Sequence, residues 1–428
     1  MVFFGLYSET RPMVQSTLPS QSGTASSRFQ AVFDHIAAGA INREQNRILA
    51  YDAVEELRQS GFTALRIPAE LGGQNVSLQE TFRLLVKLAA ADSNLPQIIR
   101  AHFAFVEGER QHLTAAATRP SAIKWLETIQ AGAVFGAAMA ELGNATETTT
   151  TLTHKDGKWY LNGTKYYSTG SIYADWIAVV ALHDDKRYRV AVPTTAAGVT
   201  RVDDWDGFGQ RLTGSGTTLF ENVELSEEQI YHILPKDDSP IDRFFTAFYQ
   251  NFHLATLAGI AQAALRETIE FVRPRTRVFG VPGQSLPRED PLVQAVVGRL
   301  SSLAFAAETL VDRVSATLEQ VSRLREQGLP DTVSQQAELE AFKAQQVIIP
   351  LVLEATTSLF EVGGASASSE KRRLDRFWRN ARVLASHNPA IKRARELGDW
   401  ELNGTPLDSS WTTKAKADAQ ATPHLASV

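Results

Sequence analysis

Cysteine is absent from all 428 positions of the chain, and this absence removes several kinds of chemistry. Disulfides, thiolate nucleophiles, iron–sulfur clusters and cysteine-type zinc sites all need thiols, so none of them is open to this protein. A chain without cysteine is neutral with respect to redox compartment. It fits a reducing interior, and we expect a cytoplasmic location.

Long apolar runs and a basic balance of charge are also missing. No stretch approaches the roughly 20 apolar residues that cross a bilayer. The briefly apolar residues 1–7 have no basic leader, so a signal peptide is not expected. The formal net charge is −5, and such a chain is poorly suited to nucleic acids or membrane surfaces as partners.

The common catalytic and nucleotide-binding motifs are missing as well. There is no Gly-x-Gly-x-x-Gly after a predicted strand, no phosphate-binding P-loop and no Gly-x-Ser-x-Gly elbow. The nine histidines do not have metal-ligand spacing, so no metal site is expected. These absences disfavour a Rossmann enzyme, an NTPase, a serine hydrolase and a zinc protease.

The residues that are present change in character along the chain. Residues 28–132 have helical periodicity, residues 133–238 contain short β-branched and aromatic runs, and residues 239–400 return to long helical segments. Residues 1–27 are predicted to be a disordered arm and residues 401–428 an unstructured tail. The expected fold class is α+β multidomain, with an N-terminal helical domain, a central β-barrel or sandwich and a C-terminal four-helix bundle.

Local signals support this division. Ser77 to Glu80 form a capping box before an apolar run, and Asp156-Gly157 lies between two strand-like runs as in a β-hairpin. Pro350 should kink the helix that contains it. Four segments are long enough for the bundle helices, near 243–272, 289–327, 332–362 and 372–385.

Ligands often bind where domains meet, so a ligand site is expected at the seam between the three regions.

A resemblance to a known family rests on five segments in a fixed order. Each is weak alone, but their order makes a strong joint signal, and together they resemble the acyl-CoA dehydrogenase superfamily. The resemblance implies the helix–β–helix fold and a flavin cofactor. The segments are Met139–Gly143, Lys158–Gly170, Gly209–Gly216 with Phe220–Val223, Arg275–Pro282 and Phe360–Gly364.

The resemblance also implies which residues bind the flavin. Tyr167 and Ser168 would edge the isoalloxazine ring, and Thr169 would hydrogen-bond near its N5 atom. Arg277 would bind the flavin phosphate of a neighbouring subunit, although an offset in the motif leaves Arg275 as the alternative. The remaining residues expected at the cofactor are Ala138, Met139, Arg211, Ser215, Gly363, Gly364 and Arg376.

The carboxylate base of the dehydrogenases has no counterpart here. The family places that base late in the bundle or on its first helix, and the matching residues 385–389 and 248–253 contain no Asp or Glu. An FAD-dependent acyl-CoA dehydrogenase with a displaced base, such as Glu361, is one alternative. A non-catalytic family member that serves as a binding partner is another.

The leading hypothesis is a different branch of the superfamily, the monooxygenases that use reduced FMN. Asp203–Trp205, Asp375–Arg382 followed by His387-x-Pro389, and Leu402–Gly404 resemble the dibenzothiophene and sulfone monooxygenases of that branch. There, a separate NAD(P)H-dependent flavin reductase supplies reduced FMN. O2 then adds to give a flavin hydroperoxide, which oxygenates a small organosulfur or aromatic compound.

In this resemblance, three residues carry the catalysis. His387 would donate to the hydroperoxide or shuttle its proton, His102 would act from the N-terminal helical domain, and Thr169 would complete the polar environment. An apolar segment from Ala137 to Glu141 predicts a more apolar pocket than in dibenzothiophene monooxygenase. A shared flavin phosphate needs at least a dimer, and we expect a homotetramer.

Overall fold

The computed structural model describes residues 25–142, 148–235, 242–276 and 286–407. Within these ranges a helical region, a β region and a second helical region follow one another, so the predicted fold class is confirmed. Most of the predicted arm and tail lie outside the described residues, and so does Arg277.

The first region is helical, as predicted. In α4 the Oγ atom of Ser77 accepts a hydrogen bond of 3.2 Å from the backbone N–H of Glu80, which is the N-terminal cap that the sequence indicates. The apolar face that follows is buried, mainly against α7 and α8 of the third region and also against α2 and α5. The helices are α1 (Ala25–Arg28), α2 (Gln30–Asn46), α3 (Tyr51–Gln59), α4 (Leu78–Ala91), α5 (Asn94–His112) and α6 (Arg119–Gln130).

The second region is one mixed sheet of eight strands, with the order β6-β7-β3-β2-β4-β5-β8 and β1 beside β4. The predicted hairpin is present between β2 and β3. Asp156 and Gly157 both have positive φ, 52° and 76°, as a tight two-residue hairpin turn requires. The strands are β1 (Phe135–Ala138), β2 (Thr151–Lys155), β3 (Lys158–Lys165), β4 (Trp176–His183), β5 (Lys186–Pro193), β6 (Val199–Arg201), β7 (Thr218–Leu225) and β8 (Ile230–Pro235).

The third region consists of five helices, and the predicted bounds of the first match its observed bounds. The third helix continues through Pro350 to Ser358. Of the described residues, no helix is both long and apolar enough to cross a membrane. The helices are α7 (Arg243–Val272), α8 (Pro291–Glu326), α9 (Ser334–Ser358), α10 (Asp375–Ala385) and α11 (Ala390–Asn403).

Helix α7 joins the two helical regions. It packs against α8 and α9 on one side and against α4 and α5 on another. Gly259 allows the close approach to α4, because a Cβ there would lie 2.4 Å from the carbonyl oxygen of Val86. The middle of α7, residues 250–261, is buried on every side, whereas its C-terminal part carries the exposed Arg266 and Glu270.

One buried carboxylate in α9 is poorly satisfied. Glu338 is fully buried, neither carboxylate oxygen accepts a hydrogen bond among the described residues, and Arg243 Nε lies 3.3 Å from Oε2. Burial, with a smaller contribution from Glu396, raises the pKa of Glu338 to about 7, although Arg243 and Arg393 oppose the shift. The folded state therefore favours the protonated acid.

This raised pKa predicts a pH-dependent stability. Below the ordinary pKa of Glu the group is protonated in both states, and stability falls as pH rises through the folded pKa. Glu338→Gln should therefore raise Tm by a few degrees at pH 8 and change it little at pH 5. Thermal unfolding at both values measures this, with Glu127→Gln at an exposed position of α6 as control. An equal effect of Glu338→Gln at both pH values would contradict the assignment.

Candidate functional site

The three regions meet around a cavity of about 860 Å³. Its walls are formed by α5, the end of β1, the turn after β3, the loop 205–215, α7 and the junction of α10 with α11. The cavity therefore lies at the seam where the sequence analysis expects a ligand site. A β-side wall and a helical wall face each other across it.

Hydroxyl groups line the β-side wall. Ser215 Oγ shares hydrogen bonds of 2.8 Å with Thr169 Oγ1 and 2.7 Å with Thr213 Oγ1. Thr213 Oγ1 also donates to the carbonyl oxygen of Gln210 at 2.9 Å. All three hydroxyl-bearing residues are buried and line the cavity, so they present a fixed row of donors and acceptors to a ligand.

Backbone hydrogen bonds position this hydroxyl row. The N–H of Ser168 donates to Gly216 O at 3.1 Å, and the N–H of Gly170 donates to Thr213 O at 3.0 Å. Tyr167, directly before Ser168, has φ of 56°, a left-handed conformation that is uncommon for a non-glycine residue and frequent at functional sites. The turn is thereby tied to the 213–216 segment.

A buried ion pair fixes the edge of the cavity beside Met139. Lys165 is fully buried and its Nζ donates to Glu141 Oε1 and, at 3.4 Å, to Met139 O. Thr149 and Thr150 donate four further hydrogen bonds to the same carboxylate. Although burial opposes it, these donors lower the pKa of Glu141 to about 2.

A chain of hydrogen bonds runs along the helical wall. Arg100 Nη2 lies 3.4 Å from His387 Nε2, and His387 Nδ1 lies 3.1 Å from Asn388 Oδ1. Asn388 Nδ2 donates to Gln250 Oε1 at 2.9 Å. Because a guanidinium can only donate hydrogen bonds, His387 Nε2 is the acceptor. His387 Nδ1 therefore carries the proton and donates to Asn388 Oδ1.

The surroundings of His387 favour this neutral form. Although His387 keeps an exposed edge, desolvation by the protein packed around its ring, together with the Arg100 guanidinium, lowers the pKa of His387 below its ordinary value, and Asn388 opposes the shift only in part. Behind it, the His253 ring lies edge-on at 4.2 Å between centroids, and burial keeps the pKa of His253 well below its ordinary value. In this arrangement His387 Nε2 is a proton acceptor.

Five of the sequence-predicted residues line the cavity together. They come from three separate elements of the fold. His387 is on the helical wall, while Tyr167, Thr169 and Ser215 are on the β-side wall and Met139 is at its edge.

His102 does not line the cavity. It is fully buried, its Nε2 lies 2.8 Å from Thr63 O, and its Nδ1 accepts from the N–H of Phe135 at 3.2 Å. Burial lowers the pKa of His102 to about 4. Both ring nitrogens thus join α5 to neighbouring backbone, and the structure gives His102 a positioning role rather than a place among reacting groups.

The other predicted cofactor residues that the structure describes also lie outside this cavity. Ala138 packs in the sheet core, the Ser168 side chain is buried behind the turn, and Arg211 lies 3.4 Å from Glu44 O. Arg376 forms a buried ion pair with Glu267. Gly363 and Gly364 follow α9 and do not line the cavity.

Several lining residues were missed by the sequence analysis. Gln97 and Arg100 come from α5, and Tyr249 comes from α7. The available signal for Arg100 was a single arginine within an otherwise apolar helical stretch. Trp205 lay in a segment that was singled out, and its Nε1 donates to Gln210 O at 2.9 Å.

No Asp or Glu lines the cavity among the residues that the structure describes. Glu361, the displaced base of the dehydrogenase alternative, is exposed and lies outside the cavity. The two arginines on the lining are Arg100 and Arg393, and Arg393 is paired with Glu396 at 2.9 Å. The cavity thus offers cationic and neutral groups but no carboxylate base.

Two family models match the chain. The acyl-CoA dehydrogenase middle domain matches residues 138–223, and the acyl-CoA dehydrogenase C-terminal domain matches residues 252–390. Together they cover a little over half of the 428 residues. The chain belongs to the acyl-CoA dehydrogenase family.

Within this family the chain is similar to flavin-dependent monooxygenases. It is 28% identical to the probable FMNH2-dependent monooxygenase SfnC of Pseudomonas putida, over 82% of this chain and 87% of that protein. It is 26% identical to the dibenzothiophene monooxygenase of Rhodococcus qingshengii, over 86% and 90%.

Solved structures give the same result. FMN-bound TdsC from Paenibacillus sp. A11-2 superposes with a TM-score of 0.81 at 26% identity, covering 90% of this chain and 99% of that one. The methanesulfinate monooxygenase MsuC from Pseudomonas fluorescens has a TM-score of 0.78 at 26% identity, with the same coverage.

The buried pair beside Met139 can be tested by mutation. Lys165→Met leaves the Glu141 carboxylate buried without its cation, which should cost about 3–5 kcal/mol of unfolding free energy. The double variant Glu141→Met/Lys165→Met should be less destabilised than Lys165→Met, because it buries no unpaired charge. Denaturant unfolding of the three proteins measures the difference. Equal losses in the single and double variants would contradict the prediction.

Proposed function

We propose that this protein is a flavin-dependent monooxygenase that uses reduced FMN and O2 to oxygenate a small organosulfur or aromatic compound. The observation that carries the proposal is the cavity. It has a row of hydroxyls on one wall, Arg100 and His387 on the other, and no carboxylate on its described lining. A dehydrogenase that removes a proton beside a thioester would need such a base.

The residues present fit a flavin. The side-chain oxygens of Gln97 and Gln210 are buried at the lining without hydrogen-bond partners among the described residues, so they are free to accept from a ligand N–H. Thr169, Thr213 and Ser215 add hydroxyl groups beside them. These residues would hold the ring, and the resemblance assigns the phosphate to Arg277 of a neighbouring subunit.

Reduced FMN, when bound, supplies the two electrons that activate O2. The protein's part is to orient the reactants and exclude water. Ala101, Ala137 and Leu384 give the cavity an apolar lining, and the neutral His387 can accept a proton at Nε2. Asn388 keeps that atom directed at the cavity, because it occupies the opposite ring nitrogen.

The relatives support the substrate class. Dibenzothiophene and methanesulfinate appear in the names of similar monooxygenases, and one TdsC structure contains both FMN and indole. A separate NAD(P)H-dependent flavin reductase would supply the reduced FMN. We therefore infer a cytoplasmic location, where such a reductase has its nucleotide.

The proposal predicts that the protein changes how reduced FMN reacts with O2. Mixing anaerobically reduced FMN and protein with aerated buffer should delay the return of oxidised-flavin absorbance relative to free FMN, because the cavity excludes water. His387→Ala should shorten the delay without abolishing FMN binding. With 18O2, a flavin reductase, catalase and dibenzothiophene or methanesulfinate, mass spectrometry should find one labelled oxygen in the product.

If reduced FMN bound to the protein re-oxidised at the same rate as free reduced FMN, the proposal would be overturned. Bleaching of bound FAD by an acyl-CoA would instead support the dehydrogenase alternative. His35→Gln is a useful control, because it alters an exposed histidine of α2 that does not line the cavity.

We also propose a homotetramer assembled through the third region, which contains α7 to α11. Large apolar side chains are exposed there on two helices, with Leu292 and Phe305 of α8 at 78% and 72% exposure and Ile391 and Leu402 of α11 at 82% and 84%. Such residues are costly to leave in water when they cluster, and oligomer interfaces cover them.

This assembly predicts a particle of about four times the 47.0 kDa chain mass. Leu292→Glu/Phe305→Glu should shift it to smaller species in light scattering coupled to size exclusion, because burying two carboxylates is unfavourable. Ile48→Glu is the matched control, because it changes a half-exposed apolar residue between α2 and α3, outside the third region. A wild-type monomer at micromolar concentration would contradict both the assembly and the shared phosphate site.

A further inference from the structure

We propose that Arg100 binds an anionic group of the substrate, so that this enzyme acts on a small organic monoanion with a carboxylate or sulfinate head and an apolar body. The inference rests on the proposed function, because it names the substrate class of the same cavity. It assigns a specificity role to a residue that neither the sequence motifs nor the family match identifies.

The first observation is that Arg100 has no carboxylate partner among the described residues. Its Nε is buried without any hydrogen-bond partner, and its only protein hydrogen bond is the long one from Nη2 to His387 Nε2 at 3.4 Å. Tyr249 alone contributes an opposing electrostatic effect, with its ring face 5.3 Å from the guanidinium carbon. Arg100 is partly buried, and a partly buried cation without an anionic partner is costly unless a ligand supplies one.

The second observation is that the cavity provides no counter-charge. Its lining contains no Asp or Glu in the described chain, Arg393 is already paired with Glu396, and His387 is neutral. Burial lowers the pKa of Arg100, but a guanidinium stays protonated near neutral pH. The cavity therefore keeps one positive charge although the whole chain carries a net charge of −5.

The third observation concerns shape and chemistry. A guanidinium presents its N–H groups as a planar fork, which matches the two oxygens of a carboxylate or a sulfinate. Apolar groups lie close by on the same lining, among them Ala101, Val383 and Leu384. An anionic head on Arg100 with an apolar body against these side chains satisfies both features, whereas a fully neutral substrate leaves Arg100 unpaired.

The FMN phosphate is the competing anion, and the layout separates the two. Arg100 lies on the helical wall beside His387, while the hydroxyl row suited to the flavin lies on the β-side wall. The resemblance moreover gives the phosphate to Arg277. If Arg100 bound the phosphate, Arg100→Met would weaken the binding of FMN without affecting that of riboflavin, which lacks the phosphate, and this difference can be measured.

The test is ligand binding to the intact protein, followed by calorimetry or Trp205 fluorescence, with and without oxidised FMN. The probes are benzenesulfinate, benzoate and the neutral methyl phenyl sulfone. At least one anion should bind the wild type tenfold or more tightly than the sulfone. Arg100→Met should remove that preference and leave sulfone binding unchanged, and Arg100→Lys should retain part of it.

The matched control is Arg299→Met, which removes a guanidinium paired with Glu354 on the protein surface and should change nothing. Circular dichroism and Tm establish that each variant is folded. A response to benzenesulfinate alone identifies a sulfinate head, and a response to benzoate alone identifies a carboxylate.

Two results would overturn the proposal. One is a wild-type protein that binds neither anion more tightly than the sulfone. The other is an Arg100→Met protein that loses affinity for FMN but keeps its affinity for riboflavin and for the anions. Binding is measured without turnover, so the two proposals can fail separately. An anion preference with no delay in flavin re-oxidation would refute the proposed function and still support anion binding by Arg100.

Discussion

The requirement that the middle of α7 be covered governs this structure. Residues 250–261 of this helix are all buried, so α4 and α5 close on one side of it and α8 and α9 on another. That closure brings the first region against the third, and β1 of the sheet packs against α5. The cavity is what remains between them, and α7 contributes Tyr249 to its lining and Gln250 to its supporting hydrogen bonds.

The two walls of the cavity are held by different kinds of interaction. On the β side, backbone hydrogen bonds and the buried Glu141–Lys165 pair fix the hydroxyls, so their positions depend little on side-chain freedom. On the helical side, Arg100, His387 and Asn388 hold one another through side chains. The hydroxyl wall is therefore suited to a rigid planar ligand such as a flavin ring, and the helical wall to a smaller ligand that changes during turnover.

Features produced by residues that are close in sequence could be predicted, whereas features produced by residues that are distant in sequence could not. The Asp156-Gly157 turn and the bounds of α7 were accessible from sequence, because local backbone preferences and periodicity determine them. Both His102 and His387 were expected among the catalytic residues, His387 more strongly because it stands where the dehydrogenases have their base. Backbone groups of Thr63 and Phe135, however, occupy both nitrogens of His102. Those partners are distant in sequence, so no local pattern could separate the two roles. Arg100 was missed for the same reason, because its lack of a partner is a property of the assembled cavity.

The absence of a carboxylate and the presence of an unpaired arginine have one electrostatic consequence. A carboxylate base beside Arg100 would form an ion pair with it. The guanidinium would then no longer be available to bind an anionic group of the substrate. Without that carboxylate, burial and the neighbouring guanidinium lower the pKa of His387, and its Nε2 accepts a hydrogen bond from Arg100. The same cation that leaves His387 neutral is thus the group with unsatisfied N–H donors facing the ligand space. Substrate charge and proton acceptance are thereby coupled, because an anion that binds Arg100 reduces its effect on His387 and makes that imidazole more basic when substrate is present.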